Sequence, residues 1–273
     1  MKAAGGTALK GLWRLVALLL IAWFALELYF LARVALMIVV DPQSTTFQRS
    51  EAVRLLSEKH QVLWSQQWVD YALISDHLKR AVIASEDAGF SEHSGVQWDA
   101  LEKAWERNQR AETRAERINQ KAERRGAVAT SLPTSPATAK PAASTAKDVE
   151  PKLVGGSTIT QQLAKNLFLG PERNLPRKAQ EFVVTFMLEA VLSKQRILEI
   201  YLNNVEWGEG VFGAEAAARH YFHTSAARLG PSQAARLAVM LPAPKRFEQR
   251  PESAYVVGRS ATVVARMGAV ELP

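Results

Sequence analysis

Cysteine is absent from this 273-residue chain, which excludes a disulfide scaffold, a cysteine-ligated zinc site and a thiol nucleophile. Histidine is scarce. His60, His77, His93, His220 and His223 show no His-x-x-x-His or His-Glu-x-x-His spacing, so no histidine-based metal site is expected. The Gly-Lys-Ser/Thr of a P-loop is missing as well. What remains has ordinary globular composition, 48% apolar and 22% charged, which does not fit a mostly disordered or collagenous chain. The length suits one compact domain with appendages. The 34 Lys and Arg exceed the 27 Asp and Glu by 7, giving a pI near 9.7. Such a balance leaves nucleic acid, an anionic membrane surface or a phosphorylated substrate as the usual partners.

The amino terminus narrows that choice. Leu15 to Val40 is apolar apart from Glu27 and Arg33, and a bilayer needs about 20 apolar residues. A cleaved signal peptide has a shorter apolar region and a small-x-small exit, and neither is found. Lys2, Lys10 and Arg14 precede the span and Asp41 follows it, so residues 1–14 are expected in the cytoplasm and residues beyond 41 outside. A cysteine-free outer domain suits an oxidising periplasm. A mid-membrane carboxylate costs about 2.5 to 3.5 kcal/mol on insertion scales. Glu27 is therefore expected to be protonated or buried near the outer interface, with Arg33 snorkelling, in preference to a partner-helix contact. Residues 41–76, with Trp64, Trp68 and Tyr71, read as a juxtamembrane segment leading to a domain at 77–273.

Leu78, Ala81, Val82 and Ile83 form a short helical face ending at Ser85-Glu86-Asp87, the start of SEDAGFSEHSG. Carboxylates at the rigid end of an apolar helix are candidates for a general base, because partial burial raises their pKa. Taken alone, such a pair is more often a solvated helix end. Further on, GGSTITQQLAKNLF reads as a loop that caps a helix at Ser157, with Ile159, Leu163, Leu167 and Phe168 on its apolar side. Gln161, Gln162 and Lys165 lie on other faces, and a helix start with free N–H groups, a hydroxyl, amides and a lysine is a plausible phosphate cradle. Pro176 opens a second helix in which Arg177 and Lys178 precede Glu181 by four and three residues. An ordinary intrahelical ion pair there is worth about 0.2 to 0.5 kcal/mol. The apolar run from Phe182 to Leu192 makes that helix central, so its charged head asks for a functional explanation.

Between these motifs the composition shifts twice. Lys103, Arg107, Arg110, Arg114, Arg117, Lys121 and Arg124 recur at steps of four and three, forming one basic stripe. Ala104, Ala111, Ala115, Ile118 and Ala122 make a poor apolar face, so the helix is expected to be solvent-exposed. Gly126 to Pro151, rich in Ala, Thr, Ser, Pro and Lys, reads as a disordered tether. Its Ser144-Thr145-Ala146-Lys147 matches a Ser-x-x-Lys pattern by accident, since no Lys-Thr-Gly accompanies it.

Taken together, EDAGFSEHSG, GGSTITQQLAKN, RKAQEFVVTFMLE, KQRILEIYLN and GVFGAEAAARHYF occur in the order that marks the peptidoglycan glycosyltransferases, and over Leu78 to Phe222 the chain resembles the monofunctional members of that family. Gly89, Thr185 and Gln233 depart from the usual residues, and about 103–154 is an expansion relative to the family. The resemblance implies a mainly α, lysozyme-like domain behind an N-terminal transmembrane helix, anchored in the bacterial inner membrane with the catalytic domain in the periplasm. It implies polymerisation of lipid II into β-1,4 glycan strands, with inversion, release of undecaprenyl pyrophosphate and no transpeptidase activity. Glu86 then matches the family's catalytic base and Glu181 its second glutamate. Lys165, Arg173 and Lys178 match the basic clamp on the pyrophosphate, with Arg177 beside them, Ser157, Gln161 and Gln162 as neutral donors, and Asp87 also counted as contacting substrate. No cofactor is implied as required, although a divalent Mg or Mn at the pyrophosphate fits the chemistry. The implied partners are lipid II, the growing strand, the membrane, and cell-wall synthesis or division proteins, with no nucleic acid. A membrane-anchored lytic enzyme is the nearest competitor, but its uncharged leaving group has no use for a converging basic cluster. A non-catalytic scaffold would leave both glutamates idle.

Overall fold

The computed structural model describes residues 3–130, 156–170, 172 and 174–273. Its first helix, α1 (Ala3–Leu36), contains a 27-residue stretch, Lys10–Leu36, long and apolar enough to cross a membrane. From Lys10 to Leu26 every side chain is exposed, including Leu18, Ile21, Trp23 and Phe24. An apolar helix left uncovered by its own protein is suited to a lipid environment. Beyond that point Glu27, Phe30, Val34 and Met37 recur at helical spacing and are buried against the rest of the chain. Phe30 meets Phe168 with ring centroids 5.2 Å apart. The Arg33 guanidinium lies 5.0 Å over the same Phe168 ring, a cation–π contact inside the protein.

The 41–76 segment is not a simple juxtamembrane connector. Thr45 and Gln48 form a reciprocal capping box that opens α2 (Thr46–Lys59). Gln48 Nε2 then donates to the carbonyl of Asn204 at 3.3 Å, tying α2 into the domain. A short strand β1 (Ser65–Gln66) pairs in parallel with β3 (Val211–Phe212), which pairs antiparallel with β2 (Glu206–Gly208), for a sheet order of β1-β3-β2. The strands are too short to show a readable alternation, which is why the sequence did not reveal them.

Helices supply the rest. α3 (Asp76–Glu86) starts at an Ser75 cap and buries Leu78, Ala81, Val82 and Ile83, the face its spacing predicts. It packs against α9 (Pro231–Met240) and α11 (Ala254–Met267). α5 (Ile159–Phe168) lies against α2, against α6 (Leu175–Val191) and against α7 (Lys194–Asn204). α8 (Ala214–Phe222) and the single-turn α10 (Pro244–Phe247) border the sheet. Leu78, Ile159, Leu163, Leu188, Ile197, Leu198, Tyr201 and Trp207 fill one continuous core. The Trp207 indole N–H is satisfied inside it by the carbonyl of Leu237 at 3.0 Å.

Residues 97–157 separate from this body as a second compact unit. Its helix α4 (Trp98–Thr130) carries Lys103, Arg107, Arg110, Arg114 and Arg117, all exposed, as the stripe requires. The apolar face is thinner still than expected, because Ile118 is exposed while Ala104 and Ala115 are buried. The helix continues through Gly126 to Thr130, where a tether was expected to begin. Ser144 and Lys147 lie outside the described residues, as does most of that tether.

Candidate active site

The site starts where α3 stops. Glu86 is its last helical residue, half-buried, and Asp87 caps the end. Burial disfavours the charged carboxylate and holds the Glu86 pKa above its ordinary value; Asp87 adds to this, while hydrogen bonds from Gln162 and Ser85 act the other way. The Gln162 Nε2 donates to Glu86 Oε2 at 3.0 Å, and the Tyr201 hydroxyl donates to Gln162 Oε1 at 2.8 Å. One chain of hydrogen bonds thus links α7 through α5 to the Glu86 carboxyl group at the end of α3.

Asp87 turns the other way. It is 4% exposed; one oxygen accepts the backbone N–H of Ile159 at 3.0 Å and the other meets His93 Nε2 at 2.8 Å. The His93 Nδ1 accepts the Gly95 N–H at 3.1 Å, so the ring proton sits on Nε2 and is donated to Asp87. Asp87, counted with substrate contacts on sequence grounds, therefore has both oxygens committed to protein. It anchors the first turn of α5, where a negative charge is favoured by the helix dipole, beside Glu86.

The start of α5 also differs from expectation. The N-cap is Thr158, one residue later than Ser157, and it forms a capping box with Gln161. Gln161 is 2% exposed and its Oε1 accepts the Thr158 N–H at 3.0 Å, so its oxygen serves the cap and not a ligand. The Thr-x-x-Gln spacing signals such a box, and it points to Thr158 in preference to Ser157. Thr158 Oγ1 donates to the carbonyl of Gly95 at 2.6 Å. Gly95 has a φ of +86°, and a Cβ there would come within 2.8 Å of both Thr185 and Glu189 on α6. Only glycine lets the EDAGFSEHSG loop pass between α5 and α6. Ser157 itself is half-buried just before the cap.

α6 brings the second charged group. Its Asn174 cap and Pro176 start the helix so that Arg177, Lys178 and Glu181 share one face. Glu181 is 3% exposed; Arg177 Nη1 donates to its Oε2 at 3.1 Å and Lys178 Nζ contacts its Oε1. Lys178 Nζ also lies 5.1 Å over the Phe182 ring. The Arg177 Nε is buried with no hydrogen-bond partner among the described residues. Farther along the same face, Glu189 accepts from Thr160 Oγ1 at 2.5 Å and from Lys194 Nζ at 2.9 Å, and Lys194 Nζ also reaches the carbonyl of His93 at 2.6 Å. Thr160, Glu189 and Lys194 had no place among the sequence candidates. Only the fold brings them together, and they brace the loop that carries Asp87 and His93. Lys165 is exposed on α5 three residues beyond Gln162. Arg173 lies outside the described residues.

Among the described residues no cluster of three or more histidine or carboxylate ligands is present, and both Glu181 oxygens are held by cations. Among the described residues, therefore, the side chains alone do not make an all-protein cage for a divalent ion. A half-buried carboxyl with a raised pKa at the end of α3 is a group able to accept a proton, and the clustered cations at the start of α6 are groups able to hold an anion. The comparisons agree. The Transglycosylase family model matches residues 54–118 and 135–268. A biosynthetic peptidoglycan transglycosylase of Paraburkholderia xenovorans is 44% identical over 258 residues, covering 94% of this chain and 91% of that protein. One from Bordetella pertussis is 48% identical over 233 residues, covering 85% and 82%, and one from Burkholderia vietnamiensis is 46% identical over 252 residues, covering 92% and 87%. The chain belongs to the transglycosylase family, as a peptidoglycan glycosyltransferase of cell-wall synthesis.

Proposed function

We propose that this chain polymerises lipid II at the outer face of the bacterial inner membrane, with its amino terminus in the cytoplasm and its catalytic domain in the periplasm. The observation that carries the chemistry is Glu86, half-buried at the end of α3, with its pKa raised and one oxygen held by Gln162. A raised pKa makes Glu86 a stronger base than a free carboxylate. It removes the proton from the 4-hydroxyl of an incoming lipid II, and the hydroxyl oxygen attacks the anomeric carbon of the growing strand. The bond to undecaprenyl pyrophosphate breaks as the new glycosidic bond forms. A single displacement of this kind inverts the anomeric centre.

The departing pyrophosphate is met by the positive charges of Lys165, Arg173, Arg177 and Lys178, where negative charge develops. Glu181, placed between Arg177 and Lys178, aligns the two cations and keeps them from repelling one another apart. The test is incubation of the detergent-solubilised protein with labelled lipid II. Polymer is the expected product; cleavage of preformed wall without polymer would select the lytic reading instead.

A further inference from the structure

We propose that Tyr201 is a positioning residue for Glu86: its hydroxyl pins the side-chain amide of Gln162 so that the amide's NH2 end, and not its carbonyl, meets the carboxylate. The inference rests on Glu86 being the base. A glutamine amide has two ends of nearly equal shape and opposite polarity, so its orientation is decided by its neighbours. Here each end has one partner: Nε2 donates to Glu86 Oε2 at 3.0 Å and Oε1 accepts from the Tyr201 hydroxyl at 2.8 Å. Tyr201 is 1% exposed on α7, locked in the core, so the hydroxyl is a fixed reference point. Without it Oε1 would lose the donor that fixes its direction, and the amide would be free to turn away from Glu86.

The consequence is a change in proton affinity. The Gln162 hydrogen bond favours the ionised carboxylate, opposing the burial that disfavours it. The other groups acting on Glu86 are Ser85 and Asp87 on its own turn, and Tyr201, whose own hydroxyl is driven far above its ordinary pKa by burial and by Glu86 and Asp87. Tyr201 therefore stays protonated and remains a donor. The remaining helices packed on α3 are α9 and α11, whose buried positions are apolar apart from Ser260.

The test is the pH dependence of kcat/KM on labelled lipid II for Tyr201→Phe, Gln162→Leu and the double variant. Tyr201→Phe keeps the ring and its packing. Its acidic limb is expected to move to higher pH by about half to one pH unit, the worth of one hydrogen bond. Gln162→Leu should move it the same way, and the double variant should add no further shift, because both substitutions remove one interaction. An unmoved limb in Tyr201→Phe, or shifts that sum in the double variant, would overturn the proposal. Gln162 is only half-buried, so its variant keeps the test open if Tyr201→Phe fails to fold. Glu86→Gln separates the two levels. If that variant keeps turnover, the base reading itself fails; if it is inactive while Tyr201→Phe leaves the limb unmoved, only the positioning role fails.

Discussion

At the scale of single residues, the site divides into groups that face a ligand and groups that hold them in place. Glu86 is the first kind. Glu86→Gln fills the same space but cannot accept a proton, so turnover on labelled lipid II should fall about 100-fold or more while the circular dichroism stays native. The sign of the pH effect follows from burial. Because the Glu86 pKa is raised, the carboxylate begins to protonate at a higher pH than a free glutamate, and activity should fall on the acid side starting above the ordinary carboxylate range. The clamp can be separated from ordinary surface charge. Lys178 touches buried Glu181, whereas Lys103 is exposed on α4. Lys178→Ala should lower kcat strongly and Lys103→Ala hardly at all, since an exposed charge is screened by water and salt. Equal losses would show that the clamp is not local.

Individual helices raise a different question, namely which of them the chemistry needs. α5 depends on its cap. Thr158 accepts from Gln161 N and donates to Gly95, so Thr158→Ala removes a capping bond and a loop tie together. A loss of about 1 to 2 kcal/mol is expected from the cap, readable as a lower midpoint in urea. α4 is the contrasting case. Its charged side chains from Asp99 to Arg117 stand in solvent, and Arg110 pairs with Glu106 of its own helix at 3.2 Å. Exposed pairs of this sort contribute a few tenths of a kcal/mol. Deleting residues 107–149 should therefore leave polymerisation in detergent micelles largely intact. A severe loss there would mean that the insertion serves the reaction.

For the molecule as a whole, burial sets both its relation to the membrane and its stability. Glu27, which was expected to be neutralised or buried near the interface, is 7% exposed and accepts from Gln180 Nε2 at 3.0 Å. The membrane helix is thereby joined to α6, the helix that carries Arg177, Lys178 and Glu181. A second buried carboxyl governs pH stability. Glu206 on β2 has its pKa pushed up from 4.5 to about 7, first by burial and then by Glu51 and Glu248, with Lys245 opposing. The Lys245 Nζ is 3.5 Å away, an ion-pair distance that leaves Glu206 Oε1 without a hydrogen bond. A raised pKa means the folded state holds its proton more tightly than the unfolded chain. The resulting stability is complete below about pH 4.5 and is lost as pH rises through about 7. Glu206→Gln should accordingly raise the melting temperature at pH 8 and flatten its dependence between pH 5 and 8, by at most about 3 kcal/mol. No difference between the two proteins at pH 8 would refute the assignment.

How far each level was legible depended on the range of the interactions that decide it. The membrane helix, α3, α5, α6 and α7 were readable because apolar spacing, caps and Pro176 act within a few residues. Arg177, Lys178 and Glu181 were likewise readable as one helical face. Residues 41–76 were not, because α2 and β1 are held by Asn204 and β3, far along the chain. The roles of Asp87, Gln161 and Gln162 also waited for the fold. In sequence all three are polar residues beside a motif, equally able to meet a ligand. Only packing aims Asp87 at Ile159 and His93, spends the Gln161 oxygen on a cap, and sets Gln162 between Glu86 and Tyr201. Local periodicity determined which helices form, whereas long-range burial decided which side chains remain for chemistry, since a polar group taken out of water must find its partner wherever the fold supplies one.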